Sequence, residues 1–248
     1  MIFIEAPAKL TLTLSVTGTR ADGFHFIDAE MVALDICDTI TIEEADSTVI
    51  TLDGPFAHGI PTDESNLVHK ALALTGRTAH VHITKNIPHG GGLGGGSTDA
   101  AAILRWANYT DMTSAAAVGA DIPFSLVGCR ARVTGIGELV APLPFVPRDI
   151  TLLIPPVHVS TPLVYRTWDA MGGPRGANGN DLEPAALAAV PELDLWRQKI
   201  ADALGRTPYL AGSGATWFVD GHAPDISAQV AGLRVVHTTT RPDPGRVA

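Results

Sequence analysis

Six of the seven residues from Gly90 to Gly96 are glycine, and the run lies between a strand-like segment, His80 to Ile83, and a helix-like one beginning at Ser97. So many residues without Cβ cannot sit inside a regular element, because each costs chain entropy and none adds packing. They can turn consecutive amides toward one point, where the dipole of the following helix adds positive partial charge. The stretch Pro88, His89, Gly90, Gly91, Gly92, Leu93, Gly94, Gly95, Gly96, Ser97 and Thr98 therefore predicts a phosphate cradle. Ser97 and Thr98 supply hydroxyl donors, and Ser97 is a candidate ligand for Mg²⁺. The stretch is not a P-loop, which needs Gly-Lys-Ser/Thr at the helix start, and it fits the dinucleotide fingerprint only loosely. A flexible linker is the competing reading, but linkers seldom run from a strand into an Ala-rich helix with a Ser-Thr-Asp cap.

The rest of the 248 residues can build a substantial core, since 46% are apolar. A formal charge of −9 repels polyanions, and no local basic patch offsets it, so nucleic acid is not an expected partner. Cys37 and Cys129 match no disulfide or zinc spacing and are expected to be buried free thiols. The start of the chain lacks a signal-peptide pattern, and no apolar run is long enough to span a bilayer. A cytoplasmic protein without membrane contact is expected, as a monomer or weak homodimer.

From Lys9 to Val16 the side chains alternate, with Leu10, Leu12, Leu14 and Val16 apolar, which predicts a half-buried strand ended by the turn Ala21-Asp22-Gly23. Further strands are expected at Glu30 to Leu34, Thr39 to Glu43, Thr48 to Leu52 and His80 to Ile83, with helices at Asn66 to Thr75 and Ser97 to Asn108. Three prolines around Leu143 to Asp149, namely Pro142, Pro144 and Pro147, mark a junction, giving domains 1–148 and 149–248. The second part reads as a small α+β unit, with a Gly-rich loop at Met171 to Gly179, a helical stretch from Glu183 to Leu204, and strands at Ala215 to Val219 and Leu233 to Thr238. His80 and His82 alternate on one strand face and read as a surface pair rather than metal ligands.

Lys85-Asn86-Ile87-Pro88 leading into Gly-Gly-Gly-Leu-Gly-Gly-Gly-Ser-Thr-Asp-Ala-Ala resembles the nucleotide-binding motif of the GHMP kinase superfamily. Ala6-Pro7-Ala8-Lys9-Leu10-Thr11-Leu12, Arg20-Ala21-Asp22-Gly23-Phe24-His25 and Gly119-Ala120-Asp121-Ile122-Pro123-Phe124 are similar to motifs of its diphosphocytidyl-methylerythritol kinases, which serve the non-mevalonate isoprenoid pathway. Asn180-Asp181-Leu182-Glu183 and Ala211-Gly212-Ser213-Gly214-Ala215-Thr216 resemble two motifs of the family's C-terminal half. The resemblance runs from about Ala6 to Thr216.

That resemblance implies a two-domain α+β fold, with a ribosomal-protein-like mixed sheet and helices in the N-terminal domain and a smaller α/β sandwich in the C-terminal one. It implies an ATP-dependent small-molecule kinase with ATP and Mg²⁺ as cofactors and a cytidine diphosphate methylerythritol substrate. Catalysis falls to Asp121, as the base that accepts the substrate hydroxyl's proton, and to Lys9 beside it. The Gly-rich stretch, Asn66 and Lys85 fall to ATP, the last two flanking the adenine, although an Asn that opens a helix is commonly only a cap. Phe24, His25, Tyr165, Thr11, Gly212 and Ser213 fall to the substrate, with rings stacked on the cytosine and His25 reading its polar edge. The chain departs from the family in having Phe24 for Tyr, Thr11 for Asn, Thr13 for an apolar residue, and a shortened crossing from Ala107 to Ser114 in which a helix looks trimmed. Two alternatives stay open: a GHMP-type kinase for another small alcohol, and a degenerate nucleotide-binding homologue.

Overall fold

The structure, a computed structural model, describes residues 1–88 and 90–248; His89, expected in the phosphate loop, lies outside the described residues. The alternation from Lys9 to Val16 is the middle of a longer strand, β1 (Ile2–Thr19), paired antiparallel with β2 (His25–Glu44). The strands expected at Glu30 to Leu34 and Thr39 to Glu43 are one strand. Asp35 and Asp38 resemble a break, yet β2 runs on through them across a register shift between Ala33 and Cys37, with Pro7 opposite Cys37 and Ala6 opposite Asp38.

Beyond β2 the sheet divides. β4 (Ala79–Thr84) pairs with the C-terminal half of β2 and β5 (Arg130–Gly135) with its N-terminal half. β3 (Val49–Asp53), parallel to β4, and β6 (Leu139–Pro142), antiparallel to β5, extend it to six strands.

α1 (Leu67–Thr75) and α2 (Gly95–Trp106) pack on the half that carries β4. α2 presents Ala100, Ala101, Ala102, Ile103 and Leu104 to Ile40, Ile42, Val81 and Ile83, all of them buried. Small side chains let helix and sheet approach closely, and each fully buried Ile or Leu contributes about 1.5–3 kcal/mol. After α2 the shortened crossing still forms a helix, α3 (Met112–Val118), because Asp111 caps it by accepting from the amides of Thr113 and Ser114. α4 (Ile122–Val127) follows, with Pro123 in its first turn.

Residues 143–148 are irregular, and a second sheet begins with β7 (Asp149–Ile154). Its antiparallel order is β10 (Arg234–Thr239), β7, β9 (Trp217–Asp220) and β8 (Tyr209–Leu210). α5 (Thr161–Ala170) is a further helix, not among those expected from the sequence. The helix expected from Glu183 to Leu204 is two, α6 (Glu183–Ala189) and α7 (Glu192–Leu204). Pro191 separates them, since its ring blocks the preceding turn and it has no amide to donate. Cys37 and Cys129 are free but only half-buried, a correction to the expected burial. Among the described residues no helix is long and apolar enough to cross a membrane.

The edge of β1 away from β2 holds both halves together. At one end the amides of Phe3 and Glu5 donate to the carbonyls of Ala248 and Arg246. At the other, Leu14 donates to Gly179 and Asp181 donates back to Leu14, while the Asp181 carboxylate accepts from the Val16 amide at 3.0 Å. Between these straps lies Lys9, whose amide donates to the Leu93 carbonyl at 3.0 Å. The strand thus presents Lys9 to the Gly-rich loop.

Candidate active site

Lys9 is only 6% exposed. Its ammonium lies 3.2 Å from Asp121 Oδ2 and donates to Thr11 Oγ1 at 3.2 Å. Gly94 makes room for it: φ is +73° there, and a Cβ would stand 2.7 Å from Lys9 Cγ. Asp121 occupies the N-cap position of α4, where a carboxylate ordinarily accepts from the helix's own amides, but its side chain makes no such bond. It forms an ion pair with Lys9 instead, so the helix start orients the Asp without using it. Thr11, the departure from the family's Asn, keeps an oxygen on the Lys9 ammonium.

Lys9, Thr11 and Asp121 line a cavity of about 510 Å³ together with Gly92, Gly212 and Ser213. The same cavity is also lined by Phe24, His25 and Tyr165. His25 stacks on Tyr165 with ring centroids 4.7 Å apart, meets Trp168 edge-on, and has Nε2 2.8 Å from Asp169 Oδ1. One face of Tyr165 is thus covered by His25. Burial, with the charge of Asp121 adding to it, pushes the Tyr165 phenol upward, so it stays neutral as a hydrogen-bonding group. Phe24 is 56% exposed, with the Arg20 guanidinium 5.2 Å from its ring centroid. Ser213 shares a 2.8 Å hydroxyl–hydroxyl hydrogen bond with Thr161 at the start of α5.

The Gly-rich loop meets the second Gly-rich loop, residues 211–216, backbone to backbone. Gly92 has φ +78°, and a Cβ there would lie 2.8 Å from the Gly214 carbonyl oxygen and 2.9 Å from that of Ala211. The Thr216 amide donates to the Gly91 carbonyl at 3.2 Å. Gly94 is the N-cap of α2 and its carbonyl accepts from the Thr98 amide at 2.9 Å, so the amides of Gly94, Gly95, Gly96 and Ser97 are the orphan donors of the helix start, the kind of group an anion can complete.

Two residues expected beside the adenine are engaged elsewhere. The ammonium of Lys85, 2% exposed, is held between the carboxylates of Asp38 and Asp99. Two of the three ammonium donors go to these carboxylates, and Lys85 does not line the cavity that holds Lys9 and Asp121. Burial alone would lower its pKa, but the two carboxylates outweigh burial and raise it. Asp99 is driven up to about 7, first by burial and then by the Asp38 charge, against the pull of Lys85. Asp38 also accepts from the Ile87 amide at 2.8 Å, which ties the triad to the entrance of the Gly-rich loop. Asn66 caps α1, accepting from the Val68 amide at 2.9 Å and donating to the Pro61 carbonyl at 2.7 Å. Its capping role, the plainer of the two readings, is the observed one.

Asp38, Trp168 and Asp169 carried no functional reading in the sequence, and Asp99 was read as part of a Ser-Thr-Asp helix cap, whereas the N-cap of α2 is Gly94. For Asp169 a signal existed: Thr161, Tyr165 and Asp169 recur every four residues and so share one face of a helix.

The fold and this Lys–Asp pair beside a Gly-rich helix start define a class. A family profile described as "GHMP kinases N terminal domain" matches residues 66–128, which hold the Gly-rich loop, α2 and Asp121. A solved structure of homoserine kinase from Cytophaga hutchinsonii, 18% identical, shares the fold with a TM-score of 0.63 over 100% of this chain and 97% of that one. Closer likenesses are more particular. A 4-diphosphocytidyl-2-C-methyl-D-erythritol kinase of Paracoccus denitrificans is 37% identical, covering 94% of this chain and 91% of its own length. One from Cereibacter sphaeroides is 35% identical over 98% of each. A crystal structure of 4-(cytidine 5'-diphospho)-2C-methyl-D-erythritol kinase aligns with a TM-score of 0.75 and 32% identity, over 96% of this chain and 98% of that one. The chain belongs to the 4-diphosphocytidyl-2-C-methyl-D-erythritol kinase family.

Proposed function

We propose that this chain transfers the γ-phosphoryl group of ATP to the 2-hydroxyl of 4-diphosphocytidyl-2-C-methyl-D-erythritol by direct in-line displacement, with no covalent enzyme intermediate. The observation that carries the reading is the 3.2 Å Lys9–Asp121 pair, set in the wall of the cavity that Gly92, His25 and Tyr165 also line. A carboxylate there accepts the proton of the attacking hydroxyl, and the adjacent ammonium offsets negative charge on the transferring phosphoryl oxygens. The Gly-rich loop and the first turn of α2 hold the triphosphate.

The base end is supported by His25. With Asp169 accepting from Nε2, the neutral ring carries its proton there and leaves Nδ1 as an acceptor. An acceptor suits the exocyclic amino group of cytosine. Phe24 and the uncovered face of Tyr165 supply stacking surface.

Mg²⁺ fits as a companion of the triphosphate rather than as a resident ion. Among the described residues no group of three His, Cys, Asp or Glu side chains could hold a metal, while Ser97 in the first turn of α2 offers one hydroxyl. Mg²⁺ commonly takes one or two protein ligands and fills its shell with phosphate oxygens and water, and it would neutralise phosphate charge here. Division of the chain into 1–148 and 149–248 and residence in the cytoplasm complete the reading.

ADP release from purified protein with ATP, Mg²⁺ and the cytidine diphosphate substrate, compared with Asp121→Asn, tests it. Equal release by the two proteins would rule the mechanism out. Faster turnover of homoserine or mevalonate would replace the acceptor, and no turnover of any of them would point to a degenerate nucleotide-binding homologue.

A further inference from the structure

Six Lys, Arg, His and Asp side chains line the cavity: Lys9, Asp22, His25, Asp121, Arg166 and Asp169. Five are already matched. Lys9 pairs with Asp121 and His25 with Asp169, while Asp22 receives two hydrogen bonds, at 2.8 and 2.6 Å, from Arg20. Arg166, exposed on α5 directly after Tyr165, has neither a hydrogen bond nor an ion pair among the described residues. Its neighbours on the helix are anchored: Thr167 donates to the Leu163 carbonyl, Trp168 to that of Pro174, and Asp169 holds His25. A guanidinium left unmatched in a cavity wall, in a chain with net charge −9, is the group an incoming anion would complete.

We infer that Arg166 is a specificity-determining residue that grips the diphosphate of the acceptor substrate. This rests on the proposed function. A cytidine diphosphate ester has its nucleobase at one end and its reacting hydroxyl at the other, with two phosphates between. The cavity is lined both by His25 and Tyr165 and by Lys9 and Asp121, and Arg166, the cation of its lining without a partner among the described residues, follows Tyr165 directly on α5. A planar guanidinium presents paired N–H donors that fit phosphate oxygens two at a time. Arg166 selects acceptors bearing a diphosphate and takes no part in the transfer itself.

Calorimetric titration of CDP and of cytidine, each with saturating ADP on the nucleotide loop, isolates the diphosphate contribution. Wild type is expected to bind CDP roughly tenfold to a hundredfold more tightly than cytidine, the range for charge-assisted hydrogen bonds. Arg166→Met is expected to lose most of that preference with cytidine binding unchanged, which also shows that the variant is folded. Arg166→Lys should recover part of it, and KM for ATP should stay level. An undiminished preference for CDP in Arg166→Met, or none in wild type, overturns the assignment. ADP release by wild type with the full substrate is measured alongside. Turnover with an indifferent Arg166→Met removes only this inference, whereas no turnover removes the reading beneath it.

Discussion

Two lysines, Lys9 and Lys85, lie near the Gly-rich loop, each almost wholly buried and each against carboxylate, yet their surroundings differ. Lys9 has one carboxylate and one hydroxyl, and its partner Asp121 is 30% exposed in the wall of the cavity. Lys85 is enclosed by two carboxylates that are themselves 0% and 5% exposed. An ion pair with an opening to a cavity can exchange charge with a reacting group. A sealed one can only hold chain segments in place, because any loss of a partner strands an uncompensated charge. Residue type and burial do not separate the two roles; access and the number of partners do.

The largest effect should come from the open pair. Asp121→Asn is expected to lower kcat by roughly 10²–10⁴-fold, the usual contribution of a positioned base, with the thermal midpoint little changed; a large fall in midpoint would move Asp121 to the structural side of the comparison. Next, Lys85→Met should cost about 3–5 kcal/mol of stability in urea unfolding, since two buried carboxylates lose their counter-charge. Activity measured well below its melting temperature should survive better in this variant than in Lys9→Met.

The sealed triad should also show itself in pH dependence. Asp99 in the unfolded chain gives up its proton near the ordinary carboxylate value of about 3.9, whereas in the fold it keeps the proton until about 7. Between those values the folded state binds more protons, so this group's contribution makes stability fall as pH rises through the window. Asp99→Asn should flatten that part of the unfolding profile, and an unaltered slope would mean that the triad does not hold the proton. The smallest effect is expected from a third pair of intermediate exposure, Arg241 with Glu5, at 13% and 28%. Glu5→Gln should cost only about 0.2–1 kcal/mol, detectable as a slight shift of the urea midpoint.

The same contrast explains what could be read from the sequence. Local signals were legible: the alternation through Leu10 to Val16 marked β1, Asn66 marked the cap of α1, and the Gly run marked the loop that leads into α2. Lys9 and Asp121 were legible through the motifs around them. The partner of Lys85 was not, because Asp38 lies 47 residues away and sits within a strand whose polar residues imitate a break. The hydrogen bond of His25 with Asp169 was not legible either, because the two lie 144 residues apart. Pro191 was visible, but the good helix formers on both sides of it favoured a single helix, and tertiary packing does not repair the missing amide.

The contact between the two Gly-rich loops constrains the enzyme's mutational future. An ordinary clash between side chains can be relieved by shortening either partner, so a second substitution can suppress the first. At Gly92 the obstructing atoms are the carbonyl oxygens of Ala211 and Gly214, which every residue carries. No replacement at 211 or 214 removes them. Gly92→Ala should therefore resist rescue by single second-site changes in the opposite loop, leaving reversion as the simple route back to function.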